Sequence, residues 1–478
     1  MVDYGAPCVN VTHSRDPVPS SGGRHPVPRP AFRHVALSPQ APLVDRAPPE
    51  VRPTLRRLRA CHECDWLMAL PPLRSGDQAV CPRCGHVEVR RHRYPAQRSL
   101  ALALAALAAL LLALSFPFLG FSVRGVGHRI ELSQTATDLI GQHAPLVAVA
   151  VLLTTLVLPA LYLLGVVWLQ AGLLRGAPLP ASRATARTLA HLEPWMMADV
   201  FLIGALVSLI KIAGLAHIEL GPAFWAFVAF VVLLLATTQS VDRDWLWFAL
   251  AGEPPAPEGS RTGRTAAPQG LTGCPTCGLV NRLEPGGHGH CRRCGEPLHA
   301  RLPHSLQRTW ALLAAAAVLY VPANVYPIMT TTSLGRSDPS TILGGIVELI
   351  EMGSWPVALV ILVASVIVPL GKLMALAWLC LVAPRAHEFN ALARTRMYRL
   401  TEFIGRWSMV DIFVVAILVA LIRAGNLMAV GPGPAALAFG SVVVLTMLAA
   451  MTFDPRLIWD DPHRPAQDED APHERHAP

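Results

Sequence analysis

Eight long apolar stretches punctuate this chain, at residues 100–118, 145–169, 196–215, 222–238, 310–329, 355–382, 409–430 and 434–451. A helix rises 1.5 Å per residue, so about 17 to 25 apolar residues cross the roughly 30 Å hydrocarbon layer of a bilayer, and the pattern predicts eight transmembrane helices. The third and seventh stretches each carry a basic residue, Lys211 or Arg423, which a strict hydropathy threshold penalises. Residues 1–55 are rich in Pro and Arg without apolar periodicity and read as a disordered arm; 251–270 and 461–478 read likewise, as linker and polar tail.

A second pattern overlies the first. Landmarks recur at an offset of 210 to 213 residues: Cys61, Cys64, Cys81 and Cys84 return as Cys274, Cys277, Cys291 and Cys294, Pro117 as Pro327, and Pro159 as Pro369. The segment Trp195-Met196-Met197-Ala198-Asp199 returns as Trp407-Ser408-Met409-Val410-Asp411, and Asp242 with Trp247 as Asp454 with Trp459. This symmetry keeps both Lys211 and Arg423 inside predicted spans. The expected fold is an all-α integral membrane protein of two tandem four-helix transmembrane units, 99–250 and 304–460. Each unit is preceded by a small β-rich zinc ribbon, at 56–98 and 271–303. An even number of spans per unit makes the repeat parallel, so an alternating-access carrier does not follow automatically.

Composition agrees: 53% hydrophobic and 15% charged residues leave too little polar surface to close around one soluble core. The net charge of +8 follows topology rather than nucleic acid. Arg90, Arg91, Arg93 and Arg98 precede the first span, Arg175, Arg183 and Arg187 separate the second and third, and Arg385, Arg394, Arg396, Arg399 and Arg406 separate the sixth and seventh. The opposite side holds only Arg124, Arg129 and Arg336. The positive-inside bias therefore predicts cytoplasmic termini and cytoplasmic cysteine modules, with no secretory signal ahead of them.

Eight of the ten cysteines form C-x2-C-x16-C-x2-C and C-x2-C-x13-C-x2-C, the spacing with which two knuckles bring four thiolates to a tetrahedron. Gly85, Gly278 and Gly295 directly follow a knuckle and suit its tight turn. The reading is two structural Zn2+ sites; the alternative is a membrane-anchored redox or metal sensor in which the CxxC pairs cycle or hold iron.

Within the membrane, lysine is conspicuous: of 40 Lys and Arg residues only Lys211 and Lys372 are lysine, and both fall in predicted spans. Lys211 matches Arg423 and snorkels toward the headgroups. Lys372, near the middle of the sixth span, matches Tyr162 and breaks the repeat, as do Ser408 in place of Met196 and Thr446 in place of Leu234. Three positions that turn polar only in the second half predict a transport pocket of Lys372, Ser408 and Thr446, with Asp411 and its counterpart Asp199 as candidate carboxylates. A desolvated lysine can exchange a proton, which arginine does not. Helix capping is the competing role for the two aspartates, and packing the competing role for the kinks expected at Pro159 and Pro369.

The doubled CxxC pairs, Pro322-Ala323-Asn324-Val325-Tyr326-Pro327, the twofold Trp-x-Met-x-Asp and Phe453-Asp454-Pro455-Arg456 leading to Trp459 together resemble the paraquat-inducible protein A family of bacterial inner-membrane proteins. The first half departs from two of these patterns, with Ser115-Phe116-Pro117 and Asp242-Arg243-Asp244. The residues show no nucleophile with a base, no phosphate loop and no HExxH, so an enzyme is not expected. What the resemblance implies is a bacterial inner-membrane component of an intermembrane lipid transport system. It would pass phospholipid to a periplasmic MCE-domain tunnel protein, with proton coupling as one energy source.

Overall fold

The computed structural model describes residues 10–13, 57–123, 126–130, 145–212, 217–333, 336–351, 353, 355–383, 390–407, 409, 410, 413, 414, 417 and 428–460. The chain is mostly helical, with two small β modules carrying the cysteines.

Module 1 pairs β2 (Leu58–Ala60) with β3 (Leu67–Ala69) and β4 (Asp77–Val80) with β5 (Val87–Arg90), all antiparallel. A further strand, β1 (Asn10–His13), adds to the free edge of β4 in the register Asn10 to Val80. Four residues of the arm expected to be disordered are therefore ordered, because an open strand edge offers unpaired N–H and C=O groups; the rest of that arm, and the tail 461–478, lie outside the described residues.

Unit 1 follows with α1 (Pro95–Ser115), the strands β6 (Leu119–Val123) and β7 (Val126–Ile130), α2 (Pro145–Leu152) and α3 (Leu158–Leu174). Then come α4 (Ser182–Leu192), α5 (Ala198–Ile212), β8 (His217–Leu220), α6 (Pro222–Ser240) and α7 (Arg243–Ala251). Module 2 contains β9 (Leu271–Gly273), β10 (Val280–Arg282), β11 (His288–His290) and β12 (Pro297–His299). The same order then returns: α8 (Ser305–Val325), β13 (Met329–Ser333), β14 (Arg336–Ser340), α9 (Ile342–Glu351), α10 (Trp355–Leu362), α11 (Val368–Val382), α12 (Ala391–Trp407), β15 (Met428–Pro432) and α13 (Pro434–Thr452). In each half the strands beyond the helices form a three-stranded antiparallel sheet, β7-β6-β8 and β14-β13-β15.

Among the described residues seven helices are long and apolar enough to cross a membrane, ending with Pro434–Thr452. The stretch 409–430, expected as the seventh of eight spans, falls largely outside the described residues. Large apolar side chains such as Leu111, Val232, Val318 and Val325 point outward, which water would penalise and lipid does not. Inward, Ala103, Ala106 and Ala113 are fully buried and let α1 lie along α6, as α8 lies along α13.

Both halves close through the same backbone contact. Gly221 and Gly433, just ahead of α6 and α13, lie so near the preceding loop that a Cβ would fall 2.0 Å from Pro117 O and 2.1 Å from Pro327 O. Gly221→Ala or Gly433→Ala is therefore expected to cost about 1–3 kcal/mol or more, read as a lower unfolding temperature of the purified protein, whereas Gly345→Ala, with open space at its Cβ position, should change it little.

The prolines expected to kink their helices are accommodated differently. A π turn precedes each, Leu153–Val157 before Pro159 and Val363–Ile367 before Pro369. The widened turn makes room for the ring and frees carbonyls. One of these, Thr154 O, accepts the Met197 N–H at 3.1 Å, tying the π turn to the residue just ahead of α5. The halves meet along that helix: Phe201 stacks edge-on with Phe413 at 5.6 Å, and Ser208 Oγ donates to Val414 O at 3.3 Å.

Candidate metal centres and a buried lysine

Each knuckle is a hairpin whose backbone folds back on its first cysteine. The N–H after the second cysteine donates to the carbonyl of the first, from Gly85 to Cys81, Gly278 to Cys274 and Gly295 to Cys291, at 2.9 to 3.0 Å. That residue must take positive φ, and the three glycines do, at +73° to +76°. The fourth such position is Asp65, at +60°. Sequence reasoning passed over it because it is not glycine. Its side chain repays the strained backbone: Asp65 Oδ2 accepts the Ala267 N–H at 2.9 Å and pairs with Arg301 at 3.1 Å.

These turns gather two buried sets of four sulfurs. Cys61 lies 3.5 Å from Cys84 and Cys64 3.6 Å from Cys81; in module 2 the pairs Cys274–Cys294 and Cys277–Cys291 stand at 3.5 and 3.4 Å. A disulfide needs about 2.05 Å, whereas four thiolates bound at about 2.3 Å to one ion sit roughly 3.8 Å apart. The sulfurs fit a tetrahedral metal. They titrate as a set: hydrogen bonds from Cys61 hold Cys81 well below the usual thiol range, and those with Cys64 push Cys61 well above it. Sharing protons this way is what a metal replaces when it displaces them. Of the two histidines near Cys291, both lie on β11 with exposed rings and stand outside the sulfur cluster.

The stretch read as a linker, 253–270, is ordered and belongs to the modules. Leu67 N–H donates to Arg264 O and Gly263 N–H to Leu67 O at 2.8 and 2.9 Å, Trp66 bridges to Thr265, and Ala266 is fully buried. Composition missed this because the strap gains its order from hydrogen bonds to both modules, Arg292 of module 2 donating to Pro255 O at 3.1 Å, and not from an apolar pattern of its own. Beneath it, Asp244 accepts Arg57, Arg59 and Arg91 at 2.9, 2.6 and 2.8 Å, and Glu253 accepts Arg59 and Arg293 at 2.7 Å each. Burial alone would raise the Asp244 carboxyl; the guanidiniums outweigh it and hold the group well below the usual carboxylate range.

Of the predicted pocket residues, Lys372 on α11 is 3% exposed, and its Nζ finds no hydrogen-bond partner among the described residues. The ammonium lies 3.0 Å from where a Cβ of Gly405 would stand. Thr446 on α13 is buried, with Oγ1 donating to Val443 O at 3.0 Å. Ser408 and Asp411 lie outside the described residues. Asp199 occupies the first turn of α5, where a carboxylate complements the positive helix end. It belongs to a small cavity of about 60 Å³ in the first half, with Glu193, Met196, Val231, Leu234, Leu235 and Thr238. Lys372 is not among the residues that line it.

That cavity informs the second half. Met196 and Leu234 are the counterparts of Ser408 and Thr446, and Glu193 of Gly405. Tyr162, the counterpart of Lys372, is 2% exposed. Of the counterparts of the predicted pocket residues, Met196 and Leu234 thus line one cavity together with Asp199, and Tyr162 is not among its lining residues.

A family model, Paraquat-inducible protein A, matches the chain at residues 96–251 and again at 306–462. The intermembrane transport protein PqiA of Escherichia coli K12 is 42% identical over 402 residues, 84% of this chain and 95% of that protein. The lipophilic envelope-spanning tunnel protein A of the same organism is 32% identical over 84% of this chain and 90% of its own length. A probable intermembrane transport protein of Haemophilus influenzae is 28% identical over 84% and 96%. No solved structure matches the chain.

Proposed function

Since the chain belongs to the paraquat-inducible protein A family, we propose that it is an inner-membrane component of an intermembrane phospholipid transport system, handing lipid to a periplasmic MCE-domain tunnel protein. The names of its relatives, intermembrane transport protein and envelope-spanning tunnel protein, support a transport role over catalysis. In this reading each half threads the bilayer four times, eight spans in all, with termini and cysteine modules in the cytoplasm; the twofold match of one family model and the recurring element order support the tandem arrangement.

The observation that carries the mechanism is Lys372, a cation buried in an apolar helix without a partner among the described residues. A buried charge is costly unless something pairs with it, and a lipid phosphate entering sideways between helices would do so. Ser408 and Thr446 would offer hydroxyls to the same headgroup, because their counterparts Met196 and Leu234 line one cavity. Asp411 would take the proton that Lys372 releases, giving a route for proton coupling. Zinc at the four-cysteine sites would hold the modules folded; sulfurs buried in modules that are pinned by ion pairs support a structural role over redox cycling.

The test is transfer of labelled phospholipid from vesicles containing the full-length protein to acceptor vesicles, with and without the copurified periplasmic partner. Transfer that depends on both is expected. A rate no higher than that of empty vesicles plus partner removes the transport reading.

A further inference from the structure

The two cysteine modules do not simply rest on the units they precede. Module 1, which leads into unit 1, also reaches across to unit 2. Arg399 on α12 donates through Nε to both carboxylate oxygens of Glu63, inside the first knuckle, at 2.9 and 3.0 Å, and through Nη2 to Cys84 O, at the end of the second knuckle, at 3.1 Å. Arg83, between Cys81 and Cys84, stacks its guanidinium 4.6 Å from the ring centroid of Trp459 at the end of unit 2, and the module's apolar residues close over that indole. Module 2, which leads into unit 2, makes the reciprocal contact. Arg187 on α4 of unit 1 pairs with Glu296 at 3.9 Å and stands 3.9 Å from the Cβ position of Gly295, the two residues that follow the second knuckle. The sulfurs of module 2, with Leu279 and Leu298, share one apolar cluster with the helices of unit 1.

Arg187 and Arg399 are repeat counterparts, 212 residues apart. The crossing is therefore made twice by the same arginine position of each copy, onto carboxylates at different places in the two modules, since Glu63 matches Thr276 and Glu296 matches His86. We infer that each four-cysteine module is a latch on the membrane unit it does not precede, so that metal loading ties the two units together at the module end. The latching groups are carried by the knuckles: Glu63 lies between two ligands, Cys84 is itself one, and Glu296 follows Cys294 by two residues. A knuckle that loses its metal loses the shape that presents them. With the module end held, relative movement of the units is confined to the opposite end, where the sheets β7-β6-β8 and β14-β13-β15 belong each to one half. The inference does not depend on what the protein carries.

Hydrogen exchange read by mass spectrometry on the full-length, metal-loaded protein tests it, with metal counted in parallel. Arg399→Glu is expected to speed exchange about tenfold in the strands of module 1 while both metals stay bound and module 2 is unchanged. Arg187→Glu should do the same to module 2 alone. Combining Arg399→Glu with Glu63→Arg restores the pairing with reversed sign and should return module 1 to within about twofold of wild type. If Arg399→Glu leaves module 1 unchanged, if Arg187→Glu loosens module 1 in place of module 2, or if the reversed pair exchanges as fast as the single variant, the latch is refuted.

Discussion

Lys372→Met should fold at least as well as the wild type and transfer phospholipid at least about tenfold more slowly, since one charge-assisted contact is worth roughly 1.5–3 kcal/mol. The two halves of that expectation have one cause. An ammonium in the middle of an apolar helix costs roughly 3 kcal/mol, and Lys372, 3% exposed, has no hydrogen-bond partner for its Nζ among the described residues. Methionine keeps the length of the side chain and removes the charge, so the unfolding temperature should stay level or rise. Had the lysine been placed for packing alone, transfer would survive the change; a variant within about twofold of wild type leaves the pocket without its central group. Lys372→Tyr, which copies the first half, should behave like methionine in transfer.

Removal of metal is the second large effect. A segment of about 35 residues has too little interior to fold alone, and binding at a four-thiolate site contributes on the order of 10 kcal/mol or more to such a module. Cys274→Ser should therefore drop the bound metal from two ions to one per chain and open module 2 to protease, within 271–299, while module 1 keeps its ion. Chelation of the wild type should open both. Retention of two ions by the serine variant, or resistance of the stripped modules to protease, would show that the four-cysteine sets do not depend on metal for their fold.

Much of this architecture was legible because its chemistry repeats in the sequence. Thiolate spacing announces a knuckle, and an apolar run of about 20 residues announces a span. What escaped is what depends on distant partners. Asp65 takes a backbone shape expected of glycine because Ala267 and Arg301, more than 200 residues on, reward its carboxylate. The strap at 253–270 has a loop-like composition and becomes ordered where both modules lend it hydrogen bonds, Leu67 of module 1 to Arg264 and Arg292 of module 2 to Pro255. Arg399 reads as one more flanking basic residue until Glu63, 336 positions away, is seen beneath it. The pocket stands between these cases. Its polar residues were visible as departures from the repeat, and of their counterparts in the first half Met196 and Leu234 line one cavity.

The reciprocal grip of Arg187 and Arg399 also bears on ancestry. A protein made of just one copy would carry a knuckle with no arginine to seat it and an arginine with no knuckle to hold, each complementary to the other but out of reach within the same molecule. Two such molecules related by a dyad satisfy both needs at once. In the present chain both needs are met within one molecule, because each copy supplies the arginine that seats the other copy's module.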